Sequence, residues 1–266
     1  MKTNSMMIPV LSIAGSDPSG GAGIQADVKT ITAHRLYAET VITALTAQNT
    51  LGVYGVEDVS AEFVAQQIDA VFEDIRPEAV KIGMVSSVEI IAVIAARLRY
   101  WKSKNIVLDP VMISTSGGKL ITDKAIEALK TELMPLADLI TPNLAEAEVL
   151  CGHAISGEAD MERAAWQLHE VYGKAILIKG GHLNDRADDV LIDKMGKIQW
   201  FSEEHIDTRN THGTGCTLSS AIACNLAVGL DEFEAFHHAK SYVTGALKSG
   251  LDLGKGSGPL NHVWCQ

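Results

Sequence analysis

Five short runs hold residue types that can do chemistry. The first is Ala14-Gly-Ser-Asp-Pro-Ser-Gly-Gly-Ala-Gly23. Its glycines let backbone N–H groups approach a ligand, and a helix start after them offers positive charge. Gly21-Ala-Gly-Ile-Gln-Ala26 also fits the G-x-G-x-x-A dinucleotide pattern, but its glycines come several residues after a strand instead of closing it. A phosphate cradle and a tight strand–helix connection both fit this run. The second is Asn210-Thr-His-Gly-Thr-Gly-Cys216, which leads into a small-residue stretch. Gly213 and Gly215 at a helix start can present N–H donors to developing negative charge. Cys216 falls in the first helical turn, where the dipole is expected to lower a thiol pKa, so it can act as a base. A small helix-start residue packed in the core is the structural alternative.

The third run, Thr141-Pro-Asn-Leu-Ala-Glu146, reads as a capping box, with Asn143 as N-cap and Glu146 at N3. The same two residues can stand near a metal-bound triphosphate, with Glu146 orienting Mg²⁺ directly or through water. The fourth, Asp109-Pro-Val-Met112, puts a carboxylate where a strand stops; it is either an active-site acid or a strand terminator. The fifth is Lys179-Gly-Gly-His182, a phosphate contact or a polar turn. No Gly-Lys-[Ser/Thr] follows a glycine loop, so there is no Walker A motif. None of the nine histidines forms His-Glu-x-x-His or an i,i+4 pair, and no Gly-x-Ser-x-Gly elbow is present.

Apolar periodicity supplies the elements that must hold these runs. Strands are predicted at 10–14, 40–47, 79–84, 105–109, 137–141 and 174–179, with a hairpin of 190–193 and 198–201 around Met195-Gly196. Helices are predicted from about Ile24, over 61–75, 88–98, around 126–133, from Asn143, over 161–172, 216–227 and 232–248. This alternation implies a mainly parallel sheet covered by helices on both faces, in one domain of residues 1–266. Ligands then sit at the carboxyl ends of the strands, where Gly15, Asp109, Asn143 and Lys179 fall.

Composition narrows the classes. Hydrophobic residues make up 47% of the 266 and charged residues 21%, enough for a large core and too apolar for disorder. Twenty-two Lys and Arg against 33 Asp and Glu leave a net charge of −11, with no basic footprint for nucleic acid or anionic membranes. Apolar stretches are broken well before the ~18 residues of a membrane span. The 6–14 run is read as a first strand, not a leader. The four cysteines form no Cys-x-x-Cys pair, which fits reduced thiols in the cytoplasm.

Taken in order, Ala14–Asp27, Ala47-Gln-Asn49, Lys81-Ile-Gly-Met84, Leu108-Asp-Pro-Val-Met112, Thr141-Pro-Asn143 with Glu146, Lys179-Gly-Gly-His182 and Thr211-His-Gly-Thr-Gly-Cys216 closely resemble the hydroxymethylpyrimidine/phosphomethylpyrimidine kinases of thiamine biosynthesis. These belong to the ribokinase-like family, and the resemblance spans about residues 8–260. It implies a three-layer α/β/α fold and two successive ATP-dependent phosphorylations of 4-amino-5-hydroxymethyl-2-methylpyrimidine. By this similarity Gln48 would bond the aminopyrimidine edge, and Gly15, Ala22, Asp27, Met84 and Val111 would shape its pocket. Cys216 would stand where many ribokinase relatives place an Asp base, with Gly213 and Gly215 as the anion hole. Asn143, Lys179 and Thr211 would serve the ATP phosphates, and Glu146 and Asp109 the Mg²⁺ region. A homodimer is implied as well. A pyridoxine or pyridoxal kinase of the same superfamily is the nearest rival; Gln48, whose amide both donates and accepts, favours the aminopyrimidine. A non-catalytic nucleotide-binding protein on the same scaffold is the rival of another class. Ser114–Lys119, small and glycine-rich, is the expected flap over the site.

Overall fold

Nine strands build one sheet in the order β3-β2-β1-β4-β5-β6-β7-β8-β9. They are β1 (Pro9–Ser16), β2 (Tyr37–Asn49), β3 (Gly52–Asp58), β4 (Ala79–Ile82), β5 (Ile106–Leu108), β6 (Leu139–Ile140), β7 (Ala175–Lys179), β8 (Arg186–Ile192) and β9 (Ile198–Glu204). This computed structural model describes residues 7–112, 121–181 and 186–265. The expected flap at Ser114–Lys119 and His182 lie outside the described residues. From β2 through β1, β4, β5 and β6 to β7 every pairing is parallel, and β3, β8 and β9 close the edges antiparallel.

Both faces of the parallel strands are buried, so they alternate between two cores rather than between core and water. Leu11, Ile13, Val80, Ile82, Ile106, Leu108, Ile176 and Ile178 point to one face. There they meet α2 (Ala61–Asp74), α3 (Val88–Trp101), α4 (Asp123–Ala128), α5 (Leu144–Cys151) and α6 (Glu158–Tyr172). Val10, Ala79, Val107, Ala175 and Leu177 point to the other, against α1 (Gly23–Ala33), α7 (Thr214–Ala227) and α8 (Glu232–Lys248). The three-layer α/β/α expectation therefore holds. None of the described helices is long and apolar enough to cross a membrane.

Side-chain caps set most helix starts. Ser60, Ser87, Thr122, Asn143 and Asp231 each accept a backbone N–H one turn on. α1 and α7 begin without such a cap, at Ala22 and Gly213. Three sequence expectations need adjusting. The strand expected at 40–47 runs from Tyr37 to Asn49 and turns into β3, which periodicity missed because Gly52 and Gly55 interrupt it and most of it is exposed. The strand expected at 137–141 shrinks to two residues. The helix around 126–133 ends as α4 at Ala128, then winds into a π turn (Leu129–Leu133) and a 3₁₀ turn (Met134–Leu136) with Pro135 near its start.

Where the start of β2 lies beyond the end of β3, Glu39 is 8% exposed, and its Oε2 has no hydrogen-bond partner among the described residues. It lines a cleft of about 300 Å³ with Tyr37, Val71 and Asp74. Burial, and then the Asp74 carboxylate, push its carboxyl from the ordinary 4.5 up to about 7.

Candidate active site

The chemistry-bearing residues meet at the carboxyl ends of the parallel strands, as the sheet type requires. Asp109 follows β5 and is 2% exposed. Its Oδ1 accepts from Lys179 Nζ at 2.8 Å and Thr141 Oγ1 at 3.2 Å; its Oδ2 lies 3.4 Å from Ser219 Oγ on α7. Lys179 ends β7, beside Asn143 in a parallel bridge. Burial pulls its ammonium down, but Asp109 and Glu146 outweigh that and hold it above its ordinary value.

Asn143 and Glu146 form the expected capping box, with 2.8 and 2.9 Å bonds in the two directions. Glu146 is 3% exposed. Burial raises its carboxyl to about 7; Lys179 draws it down, and the nearby Asp109 pushes it up. Two carboxylates thus crowd one lysine, leaving negative charge that a cation would relieve. No group of three or more His, Cys, Asp or Glu among the described residues could hold a metal alone. The donor set suits Mg²⁺ that arrives with nucleotide phosphates and takes one or two protein carboxylates, not a resident cage.

The Gly213–Cys216 turn stands over this pair. Gly213, at φ +83°, caps α7 in the left-handed region, and a Cβ there would lie 1.8 Å from Gly21 O. A Cβ on Gly215 would sit 3.5 Å from Asp109 Oδ2 and 3.6 Å from Lys179 Nζ. The Gly215 and Cys216 amides have no acceptor among the described residues. They point out of a helix start whose first residues lack intrahelical partners. Thr211 is exposed; its carbonyl accepts from Thr214 Oγ1 at 2.8 Å and shapes the turn.

Cys216 corrects an expectation. The helix start was expected to lower its thiol pKa. Burial instead pushes it up to about 11; Lys81 pulls the other way, and the Asp27 and Asp109 carboxylates add to the rise. Desolvation and two nearby anions outweigh the half-charge of a helix terminus.

At the end of β1, Gly15 closes on Met84: a Cβ on Gly15 would lie 2.5 Å from Met84 Cε. Gln48 is half-buried on β2, its Oε1 3.3 Å from Thr46 Oγ1, while its amide nitrogen has no partner among the described residues. Val111 is half-buried just past Asp109, and Ala22 caps α1. Asp27 lies deeper than a pocket contact. It is fully buried and accepts from Lys81 Nζ at 2.8 Å, Ser12 Oγ at 2.5 Å and Ser220 Oγ at 2.7 Å. Burial lowers the Lys81 ammonium, but the Asp27 charge overcomes it and raises it.

Residue types and spacing did not assign Lys81, Thr141, Ser219, Asp17 or His212 a role. His212 Nε2 donates to Asp17 Oδ2 at 2.8 Å across 195 residues. Asp17 also accepts from the Gly21 and Ala22 amides and from Ser19. Burial pushes its carboxyl up, but the His212 bond first, then Ser19 and the Ala22 amide, hold it down at about 2. Those two loop amides therefore face an internal carboxylate.

Known proteins resemble this chain along most of its length. The chain matches the phosphomethylpyrimidine kinase family over residues 17–261. It is 52% identical over 256 residues to the hydroxymethylpyrimidine/phosphomethylpyrimidine kinase of Rhizobium meliloti, covering 95% of this chain and 96% of that one. A crystal structure of phosphomethylpyrimidine kinase from Clostridium difficile superposes with a TM-score of 0.80 at 48% identity, over 89% of this chain and 98% of that one. An ADP complex of Bacillus subtilis pyridoxal kinase reaches a TM-score of 0.88 at 36% identity, over 96% and 97%. This chain belongs to the phosphomethylpyrimidine kinase family.

Proposed function

We propose that this chain, as a single kinase domain, transfers the γ-phosphoryl group of ATP to the 5-hydroxymethyl oxygen of 4-amino-5-hydroxymethyl-2-methylpyrimidine. It then phosphorylates the monophosphate to the diphosphate, supplying the pyrimidine of thiamine. The observation that carries this is a helix start whose Gly215 and Cys216 amides lack an acceptor among the described residues, with Gly215 packed against the Asp109–Lys179 ion pair. Phosphoryl transfer asks for positioning and charge stabilisation above all, and that arrangement offers both.

Lys179, Asn143 and Thr211 hold the ATP phosphates. Asp109 and Glu146 hold Mg²⁺, which when bound supplies positive charge to the phosphate oxygens. Gly213 and Gly215 stabilise the transferring group. Gln48 bonds the aminopyrimidine through its unpartnered amide, and Gly15, Ala22, Met84 and Val111 wall the pocket, with Asp27 behind it. The hydroxymethyl oxygen bonds to the γ-phosphorus, the bond to the bridging oxygen of ADP breaks, and the hydroxyl proton passes to the Cys216 thiolate. Because the resting thiol is protonated near neutrality, only a small fraction of enzyme is ready at a time. The protein works as a homodimer in the cytoplasm, with its cysteines reduced.

The test is ATP consumption with Mg²⁺, offering the hydroxymethylpyrimidine, its monophosphate and pyridoxal separately, with products identified by mass. Turnover of both pyrimidines is expected. Turnover of pyridoxal alone would place the substrate with the structural neighbour described as a pyridoxal kinase. ATP binding without turnover would favour a non-catalytic protein.

A further inference from the structure

We infer that Asp17 and His212 form a positioning clamp that fixes the pyrimidine-side glycine loop against the anion-hole turn. The inference rests on the kinase reading above and deepens it.

The two loops come from opposite ends of the chain. One leaves the end of β1, which holds Gly15, and carries Ala22 to the start of α1; the other opens α7 with Gly213–Cys216. They meet backbone to backbone, where Gly213 rests on the Gly21 carbonyl. Such a contact excludes side chains but does not by itself fix registry, because two loops can slide past each other. The side chains supply the registry. Asp17 Oδ2 gathers three donors: His212 Nε2 at 2.8 Å, Ala22 N at 2.9 Å and Gly21 N at 3.2 Å. Oδ1 takes Ser19 Oγ at 2.7 Å and Ser19 N at 2.9 Å. One carboxylate thus organises its own loop and reaches into the other. An ionised carboxylate only accepts, so Nε2 carries the proton of His212. The imidazole is fixed at its backbone too: His212 N donates to Gly258 O at 3.0 Å. Its ring fills the space beside Gly21, where a Cβ would lie 2.2 Å from His212 Cδ2.

Both side chains are nearly inaccessible, at 6% and 3% exposure, so neither is offered to a ligand. His212 immediately precedes Gly213, and Asp17 lies two residues past Gly15. The clamp therefore sits one step behind both sides of the reaction. Transfer between a bound alcohol and a bound phosphate depends on their relative placement, and a shift of about 1 Å can cost about a hundredfold in rate. Binding of either substrate alone, by contrast, depends on one loop at a time.

The test compares His212→Ala and His212→Gln in the full-length protein. Gln keeps an N–H donor at similar reach. Wild-type turnover of the hydroxymethylpyrimidine, measured first, tests the kinase reading separately. For His212→Ala, kcat is expected to fall about a hundredfold, while KM for the pyrimidine and the Kd of ADP change less than about threefold, as for an interaction felt only in the transition state. His212→Gln should recover most of the rate. Asp17→Asn combined with His212→Ala should be no slower than the worse single variant, as for groups acting as one unit. Hydrogen exchange at the Gly21 and Ala22 amides should quicken in His212→Ala, a readout independent of substrate. An unchanged kcat, a loss confined to KM, or additive losses would overturn the clamp. So would failure of both His212 variants to fold, which would make the pair part of the fold alone.

Discussion

Cys216 and Lys81 show how far burial decides the character of a single group. Cys216 stands at the start of a helix, yet burial lifts its thiol to about 11. If its thiolate takes the substrate proton, kcat/KM should climb with pH from 7 to 9, close to tenfold per unit, because the reactive form grows as the thiol ionises. Cys216→Ala should lose that rise, cut turnover about a hundredfold or more, and leave ADP affinity nearly unchanged in a calorimetric titration. A flat wild-type profile would return Cys216 to packing. Lys81 is the opposite case, a fully buried ammonium held charged by Asp27. Lys81→Met would strand the Asp27 carboxylate in the interior and should cost about 3–5 kcal/mol in urea unfolding. Little of this was legible from residue type. The sequence marks Lys81 and Asp27 as parts of familiar runs, but spacing cannot show that residues 54 apart share one ion pair.

The element scale is where function depends on backbone geometry. α7 starts at a glycine because no other residue fits: φ is +83°, and a Cβ would lie 1.8 Å from Gly21 O. Gly213→Ala should therefore push the two loops apart and cut kcat by more than about a hundredfold, while circular dichroism stays near wild type. Equal turnover would mean that the loops tolerate separation. Strands β1, β4, β5 and β7 and most helices were legible, because aliphatic runs and side-chain caps mark them locally. The capping box at Asn143 and Glu146 could be read residue by residue. β3 could not, since it is held by pairing to β2 and not by burying its own side chains. Nor could the meeting of Asp17 with His212, because it exists only once the sheet has brought the two ends of the chain together.

Across the whole molecule, stability should carry the mark of Glu39. Its carboxyl titrates near 7 in the fold against an ordinary 4.5, so the folded chain binds this proton more tightly than the unfolded one. Its contribution is full below about 4.5 and is lost as pH rises through 7. Glu39→Gln should stabilise the protein at pH 8 by about 1–2 kcal/mol and do little at pH 4.5, measured by urea unfolding at each pH. A gain independent of pH would assign the effect to something other than this proton.

The order of strands also sets when the enzyme can exist. β1 is made first and ends inside the sheet, between β2 and β4, while α7, which packs on α1, β1, β4 and β5, comes near the end. At a ribosomal rate of about 5–20 residues per second, Asp17 waits roughly ten to forty seconds for His212. Until then the apolar side of α1 has no α7 to cover it, and the Asp27–Lys81 pair lacks the Ser220 hydroxyl. A chain interrupted before α7 is thus an aggregation hazard as well as an inactive kinase, and the nascent protein passes through that exposed stage each time it is made.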